Sequence, residues 1–138
     1  MKKVIYIPDP RLRTPCDEVT NIDSSIIRLV EDLKLTLIAE EGLGLAAPQI
    51  GECKRVFVFW RELDSGEKVI QEVINPKLKL SSEKIDSEEG CLSVPGYRDI
   101  IKRSANVVLT GFGLNSEEVK LNLSGLEARC AQHENDHL

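Results

Sequence analysis

The chain of 138 residues contains only two histidines, and both fall in one short stretch at its end, "HENDH", His133 to His137. Two side chains four residues apart face the same way only on a helix, where they can converge on one ion. The arrangement is an HExxH motif, whose glutamate, Glu134, can reach a water beside the ion as a general base. Such a site needs a third protein ligand and an open position, yet only Leu138 follows. The third ligand must therefore come from upstream. The fold has to bring the middle of the chain against a C-terminal helix, for which Ser124 and Glu127 offer a capping-box start and "GLEARCAQHENDHL" a proline-free body.

Four cysteines, Cys16, Cys53, Cys91 and Cys130, could supply that ligand, and no CxxC pair occurs. Cys130 is seven residues from His137, about 10 Å of helix rise, too far for both to reach one ion. It more simply lines the same helix face as Leu126. Cys16 and Cys53 sit beside charged residues without a signature and read as small structural thiols. Cys91 lies in "EEGCLSVPG", where Gly90 permits close backbone approach or positive φ and Pro95-Gly96 is expected to turn the chain. A Cys-His-His set has borderline softness, suited to Zn²⁺ or Fe²⁺.

The rest of the sequence supplies a conventional scaffold. Hydrophobic residues at 41% and charged residues at 30% are the proportions of an ordinary globular chain, and the length suits one domain over 1–138. A net charge of -5 without a Lys/Arg run gives no footprint for nucleic acid or an anionic membrane. The opening apolar run, Val4 to Ile7, is too short for a signal sequence, and no stretch reaches transmembrane length. The expectation is a cytoplasmic protein with reduced thiols.

"NIDSSIIRLVEDLKLTLIAEEGLG" predicts an amphipathic helix capped by Asp23 or Ser24, with Ile26, Val30, Leu33 and Leu37 as its apolar stripe and Gly42 at its end. "RVFVFW", Arg55 to Trp60, predicts a buried strand, which the "DSG" turn joins to "EKVIQEVI" as a hairpin. "NVVLTGFGLNSEEVKLNL" predicts a second antiparallel pair, with Val119, Leu121 and Leu123 alternating. Helices with several short strands imply an α+β fold, antiparallel sheets packed around the C-terminal metal-binding helix.

One further stretch, "GLGLAAPQIG" from Gly42 to Gly51, reads as a helix end and a tight loop whose single polar side chain is Gln49. Taken in order, "GLGLAAPQ", "EGCLS" and "QHENDHL" resemble the three motifs of the peptide deformylase family, and "IPDPRLRTPCDEV" resembles its opening. The resemblance covers essentially the whole chain. It implies removal of the N-formyl group from the N-terminal methionine of nascent polypeptides, with one metal ion per chain, Fe²⁺ natively and Zn²⁺, Ni²⁺ or Co²⁺ as substitutes.

By motif position, the resemblance makes Cys91, His133 and His137 the metal ligands and Glu134 the catalytic carboxylate. It gives Gln49, through its side-chain amide, and Leu92, through its backbone N–H, the developing oxyanion. Glu89 is expected to orient Gln49 or to pair with an arginine such as Arg103, and Asp136 to act as a further partner. Leu43, Val94, Leu126 and Cys130 are expected to line a methionine pocket around Gly44. The family's helix usually continues past the second histidine, and in many bacterial members that tail contacts the ribosome. Here His137 is expected in a fraying last turn, held by packing or by metal ligation. Two rival readings are a metallopeptidase, which would cleave unformylated peptides, and a binding module with a structural metal, which would need a fourth protein ligand.

Overall fold

The all-apolar run at Val56 to Phe59 marks a strand with no solvent face, and the computed structural model gives it one helix on each side. The structure describes residues 2–6, 9–13 and 15–138; Ile7, Pro8 and Thr14 of the family-like opening lie outside them. The described elements run α1 (Ser24–Glu40), β1 (Gly44–Ala46), β2 (Val56–Glu62), β3 (Lys68–Leu80), β4 (Lys84–Cys91), β5 (Val94–Ser104), β6 (Asn106–Phe112), β7 (Glu118–Ser124) and α2 (Gly125–Asp136). Strands β1-β2-β3-β6-β7 form one antiparallel sheet in that order, while β4 and β5 form a separate two-stranded sheet. The architecture is α+β, as expected.

Alternation along β2 divides the core. Val56 and Val58 meet Val30, Leu33 and Leu37 of α1 on one face, with Leu45 and Ile74. Phe57 and Phe59 join Val73, Val107, Leu109 and Leu123 against Ala128, Cys130 and Ala131 of α2 on the other. A strand covered on both faces loses its polar half, which explains the unbroken apolar run. Leu33 has no exposed surface. Leu33→Ala should cost about 2–5 kcal/mol, read as a lowered urea midpoint at unchanged slope; a change below about 1 kcal/mol would contradict this packing.

Asp23 caps α1 by accepting from the backbone N–H groups of Ser25 and Ile26, at 3.0 and 3.2 Å. The helix ends at Glu41, in the left-handed region with φ 55°, and not at Gly42 as the sequence suggested. Gly42 serves close approach instead: a Cβ there would lie 2.9 Å from Leu92 Cδ1.

Three other expectations are corrected. "GLGLAAPQIG" is not a bare loop: Gly44 to Ala46 pair with β2, and Ala47–Ile50 form a 3-10 turn, all buried. Pro95-Gly96 does not turn the chain, which reverses at Leu92-Ser93; Pro95 lies in β5, which among the described residues pairs with β4 alone and so has a free edge where a missing N–H costs little. The Ser124–Glu127 capping box is not made. Ser124 sits at the N-cap without a side-chain cap bond, and the Glu127 carboxylate accepts the Glu62 backbone N–H at 2.6 Å in place of the N-cap N–H.

α2 meets the sheet through Ala128 and Ala131, small enough for close approach. That closeness places its polar side chains between the two sheets. Among the described residues no helix is long and apolar enough to cross a membrane.

Candidate active site

Successive turns of α2 aim Leu126, Cys130, His133, Glu134 and His137 the same way, at spacings of three and four residues. Across from them, the β4–β5 tip presents Cys91. One donor atom each from Cys91, His133 and His137 lies within 4.8 Å of the others. The Cys91 Sγ to His137 Nε2 distance is 3.5 Å, and the two imidazoles meet edge to face with centroids 5.2 Å apart.

Electrostatics suit these donors to a cation. Burial, then the neighbouring His133, pushes His137 down to about 4, so the ring is neutral with a lone pair available. His133 donates from Nδ1 to Glu89 Oε1 at 2.8 Å, which leaves Nε2 as the acceptor nitrogen. Burial raises the Cys91 thiol, partly offset by hydrogen bonds from Ser93. A thiol and two imidazoles, with no fourth donor within the group among the described residues, make a set that fits a borderline divalent ion with a position left open.

Glu134 supplies the second half of the fit. It is only 4% exposed, its Oε1 has no hydrogen-bond partner among the described residues, and burial followed by the charge of Glu89 pushes its carboxyl up to about 8. A buried carboxylate with one oxygen unpartnered among the described residues, beside three convergent donors, fits a site built for a cation and a water. Gly44 makes room for it: a Cβ at that position would stand 2.8 Å from Glu134 Oε2 and 2.7 Å from Cys130 Sγ.

Behind the histidines, Arg103 donates to both oxygens of Glu89, at 2.9 and 2.8 Å, and to Asp136 at 2.5 Å. Burial pushes Glu89 up, but hydrogen bonds from Arg103, Ser87 and His133 outweigh it and hold the carboxyl at about 2. Of the two expected roles for Glu89, pairing with Arg103 is the one present. Gln49 is engaged elsewhere: Oε1 accepts from the Ala46 N–H at 3.0 Å, and Nε2 reaches Ser93 Oγ at 3.3 Å and Cys91 Sγ at 3.4 Å. Gln49 is fully buried and ties the 3-10 turn to the hairpin tip.

A cavity of about 580 Å³ opens beside these groups, lined by Leu43, Gly44, Gln49, Leu92, Val94, Leu126, Cys130 and Glu134 among others. All five residues expected at the methionine pocket, Gly44 included, line this one cavity. Leu43 and Leu126 stand half exposed at its rim, and Cys130 is buried. The final turn does not hang free: Cys16 N–H donates to Leu138 O at 3.4 Å, and Leu138 packs on the α2 side of the core. Sequence reasoning missed Ser87, Ser93 and Gln132, all buried near the site. Ser87 was signalled only by its period-2 position with Glu89 and Cys91 in β4.

The family described as polypeptide deformylase matches residues 1–138. The chain belongs to that family. Among similar deformylases, one from Acidothermus cellulolyticus is 47% identical over 130 residues, 94% of this chain and 69% of that protein. The crystal structure of an Ehrlichia chaffeensis peptide deformylase in complex with actinonin superposes with a TM-score of 0.93 at 40% identity, covering 100% of this chain and 83% of that one. A Thermotoga maritima deformylase structure gives 0.91 at 36% identity, covering 100% and 91%. The chain is thus an enzyme of metal-dependent deformylation, removing the N-formyl group from nascent polypeptides.

Proposed function

We propose that Cys91, His133 and His137 hold one divalent ion, Fe²⁺ in the native enzyme with Zn²⁺, Ni²⁺ or Co²⁺ as substitutes, and that Glu134 moves the proton in hydrolysis of N-terminal formyl-methionine. The observation that carries this reading is the buried Glu134 carboxylate with an unpartnered oxygen beside three converging donors. An ion held there supplies Lewis acidity, bringing a water's pKa toward neutrality and polarising a carbonyl. Glu134 takes a proton from the attacking water and returns it to the departing amine, leaving formate and a free N-terminus. Its raised pKa in the metal-free protein reflects the burial that makes it a good base once a positive charge is near.

The Gln49 amide and the Leu92 backbone N–H stabilise the charge that grows on the formyl oxygen, each such donor being worth about 3 kcal/mol. Leu43, Val94, Leu126 and Cys130 take the methionine side chain. β1 ends the five-stranded sheet, its outer edge unpaired among the described residues, so Gly44 offers main-chain hydrogen bonds to an extended peptide. Glu89, Arg103 and Asp136 act behind His133, orienting it through Nδ1. The substrates are nascent chains, so the work is cytoplasmic.

Metal removal tests this reading. Protein stripped by a chelator should release no formate from formyl-Met-Ala, and anaerobic Fe²⁺, or Ni²⁺ or Co²⁺, should restore release in proportion to one bound ion per chain. Unformylated Met-Ala should stay intact. Undiminished activity after stripping, or cleavage of the unformylated peptide, would overturn it.

A further inference from the structure

We infer that Gln132 is a positioning residue for the metal site, fixing the hairpin that carries Cys91 against the helix that carries both histidines. This rests on the metal reading above. Cys91 belongs to the two-stranded β4–β5 sheet, which among the described residues shares no ladder with the main sheet. Its distance from α2 must therefore be set by side chains. The buried Gln132 amide makes a paired clasp with one residue of β5: Oε1 accepts the Ser104 N–H at 2.9 Å and Nε2 donates to the Ser104 carbonyl at 2.9 Å, with a further bond to Ala128 O at 3.0 Å. Gln132 is 5% exposed and Ser104 fully buried.

The clasp lies one residue from groups that touch the donors on both of its sides. Gln132 precedes His133, and Ser104 follows Arg103, whose guanidinium holds the Glu89 carboxylate that orients His133. β4 and β5 pair in continuous register from Lys84↔Ser104 to Gly90↔Arg98. Any slide of β5 along α2 carries Glu89 and Cys91 with it. At the opposite end the tip meets the 3-10 turn through the longer Gln49 contacts to Ser93 and Cys91 and through apolar packing of Leu92, which is less directional. A slide that breaks the clasp leaves the buried N–H and C=O of Ser104 unpaired, so the amide selects one position of hairpin against helix. A purely structural clasp would lower stability and leave metal affinity alone, whereas a positioning residue must move both.

The test compares the wild-type chain with Gln132→Met, which keeps volume and loses both Ser104 bonds, and Gln132→Glu, which can still accept the Ser104 N–H. Co²⁺ affinity is measured by competition with a chromophoric chelator, alongside the thiolate-to-cobalt absorption and kcat and KM for formyl-Met-Ala. Gln132→Met should bind Co²⁺ 10–100-fold more weakly, with a shifted cobalt spectrum and a fall in kcat at KM within about twofold, and Gln132→Glu should lie between. Wild-type affinity and spectrum in a folded Gln132→Met, whatever its melting temperature, would overturn the inference. Should Gln132→Met fail to fold, Gln132→Glu decides on the same readouts. A wild-type chain that takes up no Co²⁺ would overturn the metal reading itself, while wild-type binding shared equally by the variants would overturn only the role of Gln132.

Discussion

Glu134→Gln should lower formate release from formyl-Met-Ala by about 10²–10⁴-fold while the protein folds and takes up its metal. The carboxamide has the shape of the carboxylate, so the tight fit against Gly44 and Cys130 survives; what it loses is the ability to accept a proton. The change has a second, opposite consequence for stability. In the metal-free protein the Glu134 carboxyl is raised to about 8 from an ordinary 4.5. A carboxyl raised on folding supports the fold below its unfolded pKa, and that support is lost as pH climbs from about 4.5 through about 8. Glutamine does not titrate. The melting temperature of metal-free Glu134→Gln, relative to wild type, should therefore rise between pH 5 and pH 8.5. Full turnover in the variant would sink the proposed proton transfer, and a flat difference in melting temperature would remove the buried-carboxylate argument behind it.

The parts of the fold legible in the sequence were those whose period survives burial. The stripe at Ile26, Val30, Leu33 and Leu37 marked the face of α1, and the unbroken run at Val56 to Phe59 announced a buried strand, which the fold covers on both sides. The β4–β5 hairpin was not legible, because its inward face carries Ser87, Glu89 and Cys91 where a pattern search looks for apolar residues. A strand that faces a polar site is encoded by that site's chemistry. The grouping of Cys91 with the two histidines could be reached from spacing and donor type, but the clasp by Gln132 could not, since a neutral amide announces nothing until its backbone partner is known. Glu127 shows the converse. A capping box was written in the sequence, and a tertiary acceptor role toward Glu62 displaced it.

The ring around Arg103 should respond unequally at its two ends, with Arg103→Met costing about 3–5 kcal/mol of unfolding free energy and Asp136→Asn less than about 1 kcal/mol. Both changes break an ion pair to the same guanidinium. They differ in what is left behind. The Arg103 and Glu89 side chains are each 9% exposed, so losing the guanidinium strands a carboxylate in a place with little water. The Asp136 side chain is 63% exposed and water takes over its solvation. The pH dependence follows from the same ring. Glu89 is held at about 2 against an ordinary 4.5, so its support for the fold is present above about 4.5 and lost as pH falls toward 2. Arg103→Met should lack that support, and its deficit relative to wild type should shrink as pH is lowered through the same window. Adding Glu89→Gln to Arg103→Met should recover much of the loss at neutral pH, because the stranded charge is gone. It should not recover metal affinity, which depends on Glu89 as an ionised acceptor for the His133 Nδ1–H and should stay 10–100-fold weak. Urea unfolding of the single and double variants, with chelator competition on each, separates the two effects; a double variant as unstable as Arg103→Met would show that lost packing of the long arginine stem, and not an unpaired buried charge, dominates the ring.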